Sequence, residues 1–128
     1  MTKASVRRWI QPFAMAGFLG ATLLVGSARA QDAAALQAGD TLFNGNRLGA
    51  CWACHGKQGK GTSTAPNLTD ATWLDTDGTL AGIKGIITNG VPKPKKSKVP
   101  MPAMGGAKLT PEQIDQIAAY VVSIGKKK

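Results

Sequence analysis

The sequence predicts a small all-α fold of three to four helices. Three observations lead there. Apolar residues recur at helical spacing in three segments, each followed by a glycine that can stop a helix. No run alternates convincingly in the manner of a strand, and there is no internal repeat. The 128 residues leave room for one domain.

The elements follow in chain order. Lys3, Arg7 and Arg8 precede an apolar run from Phe13 to Val25, which closes on Ser27-Ala28-Arg29-Ala30. A basic start, a short apolar core and small residues at an A-x-A site are the layout of a secretory signal peptide. Residues 1–30 are therefore expected to be a leader and 31–128 the mature domain. The alternative is an uncleaved membrane anchor reaching back to Trp9. Arg7-Arg8 lacks the hydrophobic pair that a twin-arginine signal places after it. Residues 33–44 read as a helix with Leu36, Gly39, Asp40 and Phe43 at helical spacing, and Gly45 as its stop.

The Gly-, Ser-, Thr- and Pro-rich stretch 56–67 reads as loop, and residues 70–73 as a short helical turn. A further helix, capped by Asp77 or Thr79, is expected to run to Asn89 with Leu80, Ile83, Ile86 and Ile87 inward. Gly90 ends it. Pro92, Pro94, Pro100 and Pro102 then exclude helix and push their neighbours toward extended conformations. In the last helix Thr110 is an N-cap, Pro111 occupies the first turn and Gln113 completes a capping box. Ile114, Ile117, Ala118, Val121 and Ile124 form its apolar stripe, Gly125 stops it, and Lys126–Lys128 complement its dipole.

Removal of the leader leaves one arginine and eleven lysines against all seven acidic residues, a net charge of +5. Only Phe43, Trp52, Trp73 and Tyr120 remain as aromatic residues. A core this modest in so small a domain calls for a cross-link, metal or cofactor. Cys51 and Cys54 are the only cysteines. A disulfide between them would close a tiny loop and stabilise little. A thioredoxin-like role needs a βαβ pattern that is missing, and zinc needs about four ligands where this chain has two Cys and one His.

Cys51-Trp52-Ala53-Cys54-His55 is the C-x-x-C-H attachment motif of haem c. Two thiols three residues apart lie on one side of a helical turn, so each can add to one vinyl group of the porphyrin. His55, the only histidine, then lies below the ring to bind the iron. A thioether on the other side raises the potential and closes the iron to outside ligands, which suits electron transfer. After the leader only Met101 and Met104 remain. Both lie in a Pro- and Gly-rich loop away from any helical stripe, which weakens a role as core filler.

From Gly39 through Ile124 the chain resembles the class I c-type cytochromes. Gly39 and Phe43 resemble the family's first helix, and Ile117 and Tyr120 its partners on the last. The resemblance implies that Gly39 lets the two backbones cross closely while Phe43 meets Tyr120. Ala65-Pro66-Asn67-Leu68 resembles the segment whose proline carbonyl accepts a bond from the proximal histidine, which implies a supporting role for Pro66. Residues 68–74, LTDATWL, are similar to the haem subunit of cbb-type oxidases and to related soluble carriers. Met101-Pro-Ala lies eight residues before Leu109, as in the family's ligand loop, so the resemblance favours Met101 over Met104. The residues from Pro92 to Val99 lengthen that loop beyond the family pattern, and the second methionine also departs from it. Trp73 is expected either to cover the haem or donate to a propionate, or to be a plain core aromatic.

Lys93, Lys95, Lys96 and Lys98 cluster just before Met101. They are expected either to steer the protein to an acidic patch on a redox partner or to form a solvated loop. Nucleic acid is a poor partner for an exported chain with no aromatic platform beside its charges. Membrane association is expected only with an uncleaved leader. The leading expectation is a periplasmic single-electron carrier with His/Met-ligated haem c, and no catalytic acid, base or nucleophile set. The alternatives are a haem-bearing subunit of a periplasmic or membrane oxidoreductase complex, and a ligand-binding or peroxidatic haem protein with a labile sixth site.

Overall fold

In the computed structural model, which describes residues 23–125, the two longest helices, α1 (Leu23–Asn44) and α4 (Pro111–Gly125), cross where Gly39 has no side chain to hold them apart. A Cβ at Gly39 would collide with the carbonyl of Gln116 and lie 2.8 Å from the Tyr120 Cβ. Phe43 and Tyr120 meet at the crossing, with ring centroids 5.4 Å apart and planes tilted by 51°. That tilted arrangement suits the quadrupoles of two aromatic rings. Phe43 is 1% exposed. Asn44 closes the junction by donating to the Tyr120 hydroxyl at 3.1 Å and to Asp40 at 2.7 Å.

Between these helices lie α2 (Trp52–His55), a 3₁₀ turn at Lys57–Gly59, α3 (Leu80–Asn89) and a second 3₁₀ turn at Ala103–Gly106. Among the described residues there are no strands, only one antiparallel bridge pairing Val91 with Met101. The chain is all-α, as its periodicity indicates. No described helix is long and apolar enough to cross a membrane.

Helix α4 forms as its sequence dictates. Gln113 N–H donates to the Thr110 hydroxyl at 3.2 Å, and Thr110 N–H donates to the Gln113 side chain at 2.9 Å. This is the reciprocal capping box. All five residues of the expected stripe are buried. Helix α3 packs beside α4 through Ile83 and Ile87, and Lys84 pairs with Asp115 at 2.5 Å across their exposed edge. At its start the two capping candidates act together. Thr79 accepts from Gly82 N–H at 3.0 Å, while Asp77 accepts from both the backbone N–H and the hydroxyl of Thr79.

Three expectations change. Leu80, expected to point inward, is 48% exposed; it occupies the first turn, ahead of the point where α3 meets the core. Residues 70–73 do not form a helical turn. Asn67 and Asp70 accept from the N–H groups of Thr69 and Thr72, and such local side-chain bonds compete with helix. Helix α1 is described from Leu23, upstream of residue 33, and runs through the expected cleavage point. Most of the expected leader, and Lys126–Lys128 with their dipole role, lie outside the described residues.

Candidate haem site

One cleft collects the residues that the sequence singles out. Cys51, Cys54, His55, Pro66, Trp73 and Met101 all line it, together with Phe43 from α1, Ile83 and Ile87 from α3, and Ile117 and Val121 from α4. Its walls are overwhelmingly apolar. The crossed helices therefore form its back, and the loops between them form its faces.

On one face, α2 is a single turn whose backbone is tied at both ends. His55 N–H donates to the Cys51 carbonyl at 2.9 Å, and Gly56 N–H to that of Trp52 at 2.8 Å. Thr62 adds a side-chain bond to the Cys54 carbonyl. Both cysteines are free thiols. Burial pushes the Cys51 thiol up to about 11, helped by its proximity to Cys54 and opposed by a backbone hydrogen bond. Trp52, between the cysteines, points away to donate to the Gly45 carbonyl at 3.0 Å, with the Lys57 ammonium over its ring.

His55 is held by its Nδ1, which lies 3.2 Å from the Pro66 carbonyl oxygen. A carbonyl only accepts, so Nδ1 carries the proton and the lone pair is left on Nε2. Burial lowers the His55 pKa from its ordinary value, and the Pro66 bond offsets this in part. The neutral imidazole is thus favoured, the form in which histidine ligates a metal.

The opposite loop is built on Gly90. Its φ of +71° suits glycine, and a Cβ there would collide with the Met101 carbonyl and lie 2.7 Å from Ala103 N. Val91 and Met101 exchange backbone bonds of 2.8 and 3.1 Å. Met101 lines the cleft, whereas Met104 does not; it packs against the hydrophobic core with a φ of +55°. Two glycines hold Trp73 in the wall. A Cβ on Gly78 would overlap the pyrrole edge of the indole, and one on Gly125 would lie 2.6 Å from the benzo edge.

Sequence reasoning missed the ties that position the lysine-rich loop. Ser97 donates to the Thr64 carbonyl at 2.6 Å, and Lys95 N–H donates to Asp75 at 3.2 Å. Pro94 and Ser97 turn toward the cleft, and Lys93, Lys95, Lys96 and Lys98 are exposed. Among the described residues none of the four forms an ion pair. The inward spacing of Pro94 and Ser97, three apart among outward lysines, was a readable signal of a loop with one face applied to the protein.

These residues fit a covalently held haem. Two free thiols one turn apart, an imidazole with its Nδ1 engaged and a thioether share one apolar cleft. A family model described as Cytochrome c matches residues 36–125. Curated relatives include the Cbb3-type cytochrome c oxidase subunit CcoP of Rubrivivax gelatinosus, 39% identical over 97 residues, which make up 76% of this chain and 28% of the relative. The subunit CcoP of Cereibacter sphaeroides is 36% identical over 101 residues, 77% of this chain and 31% of its own. The subunit FixP of Rhizobium meliloti is 39% identical over 93 residues, 70% of this chain and 30% of its own. The chain thus spans about a third of the length of these relatives. No solved structure matches significantly.

Proposed function

The chain belongs to the cytochrome c family, whose members carry covalent haem c, and from that premise we propose that it is a haem-bearing electron-transfer component of an oxidoreductase complex. Its relatives are subunits of cbb3-type oxidases, which favours an assembly over a free carrier. The observation that carries the reading is the shared cleft of Cys51, Cys54, His55 and Met101, with Nδ1 of His55 committed to Pro66. When bound, haem iron supplies one-electron chemistry by alternating between ferric and ferrous states.

In this reading Cys51 and Cys54 would hold the group by thioether links, and His55 and Met101 would be the ligands to its iron. Pro66 fixes the His55 tautomer and makes Nε2 a stronger donor. Trp73 and the aliphatic side chains of α3 and α4 exclude water. The match to the cytochrome c family supports a chain that carries electrons and does not itself catalyse a transformation. Residues 1–30 act as an export signal, the mature domain starts at Gln31, and the protein works in the periplasm. Lys93, Lys95, Lys96 and Lys98 meet an acidic patch on the redox partner.

The test is an optical and magnetic resonance spectrum of the purified holoprotein beside Met101→Ala and Met104→Ala. The far-red band of sulfur-ligated ferric haem should vanish in Met101→Ala alone. Carbon monoxide binding to the reduced wild type at neutral pH would instead support an open sixth site. Size exclusion of the native protein separates a stable complex from a free shuttle, and the mass of the mature chain reports whether the leader is removed.

A further inference from the structure

The loop that lengthens the methionine side is not loosely draped. Its neck is closed by the paired backbones of Val91 and Met101, and its far side is fastened at two points. Ser97 lies in the middle of the basic run and is only half-buried, yet its hydroxyl is fully used. The proton goes to the Thr64 carbonyl at 2.6 Å, closer than the Val99 carbonyl at 3.0 Å. The oxygen accepts from Val99 N–H at 3.0 Å. A hydroxyl has one proton to give and lone pairs to receive with, so this serine joins two chain segments at once. Thr64 belongs to the segment that ends in Pro66, the acceptor for His55 Nδ1. Val99 stands two residues before Met101. Ser97 thus bridges the backbone that orients the imidazole and the backbone that carries the thioether. Lys95 N–H on the Asp75 carboxylate is a second pin on the same loop.

We propose that Ser97 is a positioning residue for Met101, latching the lysine-rich loop to Thr64 so that the methionine is held toward the iron against competing ligands. The proposal rests on Met101 as the distal ligand. The four lysines on this loop repel one another, and no described acidic group pairs with them. That repulsion favours an opened loop, and the hydroxyl bridge opposes it. A net hydrogen bond contributes about 0.5–1.5 kcal/mol, so its loss shifts the closed–open balance by roughly two- to twelvefold.

The experiment titrates the ferric holoprotein with imidazole and follows loss of the far-red sulfur band in wild type, Ser97→Ala, Ser97→Thr, Asp75→Asn and Met101→Ala. Ser97→Ala should keep the band but need roughly two- to twelvefold less imidazole to lose it, with faster ligand exchange. Ser97→Thr keeps the hydroxyl and should restore the wild-type midpoint. Asp75→Asn should shift it in the same direction by less. High salt, which screens the lysine repulsion, should raise the imidazole midpoint of wild type and Ser97→Ala alike. An unchanged midpoint in Ser97→Ala overturns the latch while leaving Met101 as ligand. A band that survives in Met101→Ala removes the ligand assignment, and the latch with it. Helix content by circular dichroism separates a loosened loop from a misfolded domain, and Asp75→Asn tests the same closure without touching Ser97.

Discussion

The two faces of the cleft are built by different means. The cysteine–histidine face, from Cys51 to Leu68, is a chain of short-range backbone bonds, in which α2, the turn at Lys57–Gly59 and the Pro66 segment fasten one another. The methionine face, from Gly90 to Gly106, has fewer local bonds, chiefly the 3₁₀ turn at Ala103–Gly106 and the Ser97–Val99 pair. Beyond these it relies on one backbone bridge and a few side-chain pins reaching to segments far away in sequence. A face assembled from local bonds forms with its own turn. A face assembled from distant ones waits for the rest of the fold and opens at lower cost.

The sharpest break of this comparison is chemical. The double variant Cys51→Ala/Cys54→Ala should lose covalent haem altogether, read as haem stain on a denaturing gel, whereas Met101→Ala should keep the stain. Equal losses would mean that attachment depends on both faces alike. Next in size is the floor that both faces share. Phe43→Ala empties the helix crossing and should cost about 3–5 kcal/mol in urea unfolding. A cost below about 1 kcal/mol would place the core elsewhere.

A smaller effect compares the faces directly through Gly59 and Gly90, both at a φ of +71°. Alanine at either position meets positive-φ backbone strain of about 1–3 kcal/mol as well as contact. At Gly59 the added Cβ lies 2.8 Å from Ile124 Cδ1 and 3.2 Å from Leu68, so Gly59→Ala should lower global stability. At Gly90 it meets the backbone around Met101. Gly90→Ala should therefore weaken the sulfur band and sensitise it to imidazole beyond its effect on unfolding.

The smallest effect lies away from both faces and serves as their control. Bonds from the backbone N–H and hydroxyl of Thr79 lower the Asp77 pKa below its ordinary 3.8. Its contribution to α3 is then complete above that value and is lost as pH falls through the lower, folded value. Asp77→Asn should flatten the acid limb of an unfolding curve slightly and leave the neutral spectrum unchanged. A shifted sulfur band in that variant would show that α3 transmits strain to the methionine loop.

The helices and the motif were legible in the sequence because both are local. Thr110 and Gln113 announce a cap by their spacing, the stripe from Ile114 to Ile124 announces its buried face, and five consecutive residues announce a haem. The methionine face was legible only in part. Its prolines ruled out helix and Met101 stood where the family pattern expects a ligand, but the Ser97–Thr64 bond joins residues with no periodic relation to each other. Leu80 was misplaced because helical spacing identifies a face without saying where along a helix the partner begins. Residues 70–73 went astray because the side chains of Asn67 and Asp70 can bind their own backbone, an option that helical spacing does not reveal.

The indole of Trp73, wedged between Gly78 and Gly125, has one further use. The ring packs against two glycine backbones in the cleft it lines, so its fluorescence is tied to whatever occupies that space. A haem seated against it would darken the emission by energy transfer, and an empty cleft would leave it bright. Trp52, turned outward and bound to Gly45, supplies a second emitter in a different setting. The chain thus contains its own optical gauge of haem loading, readable during maturation without any added label.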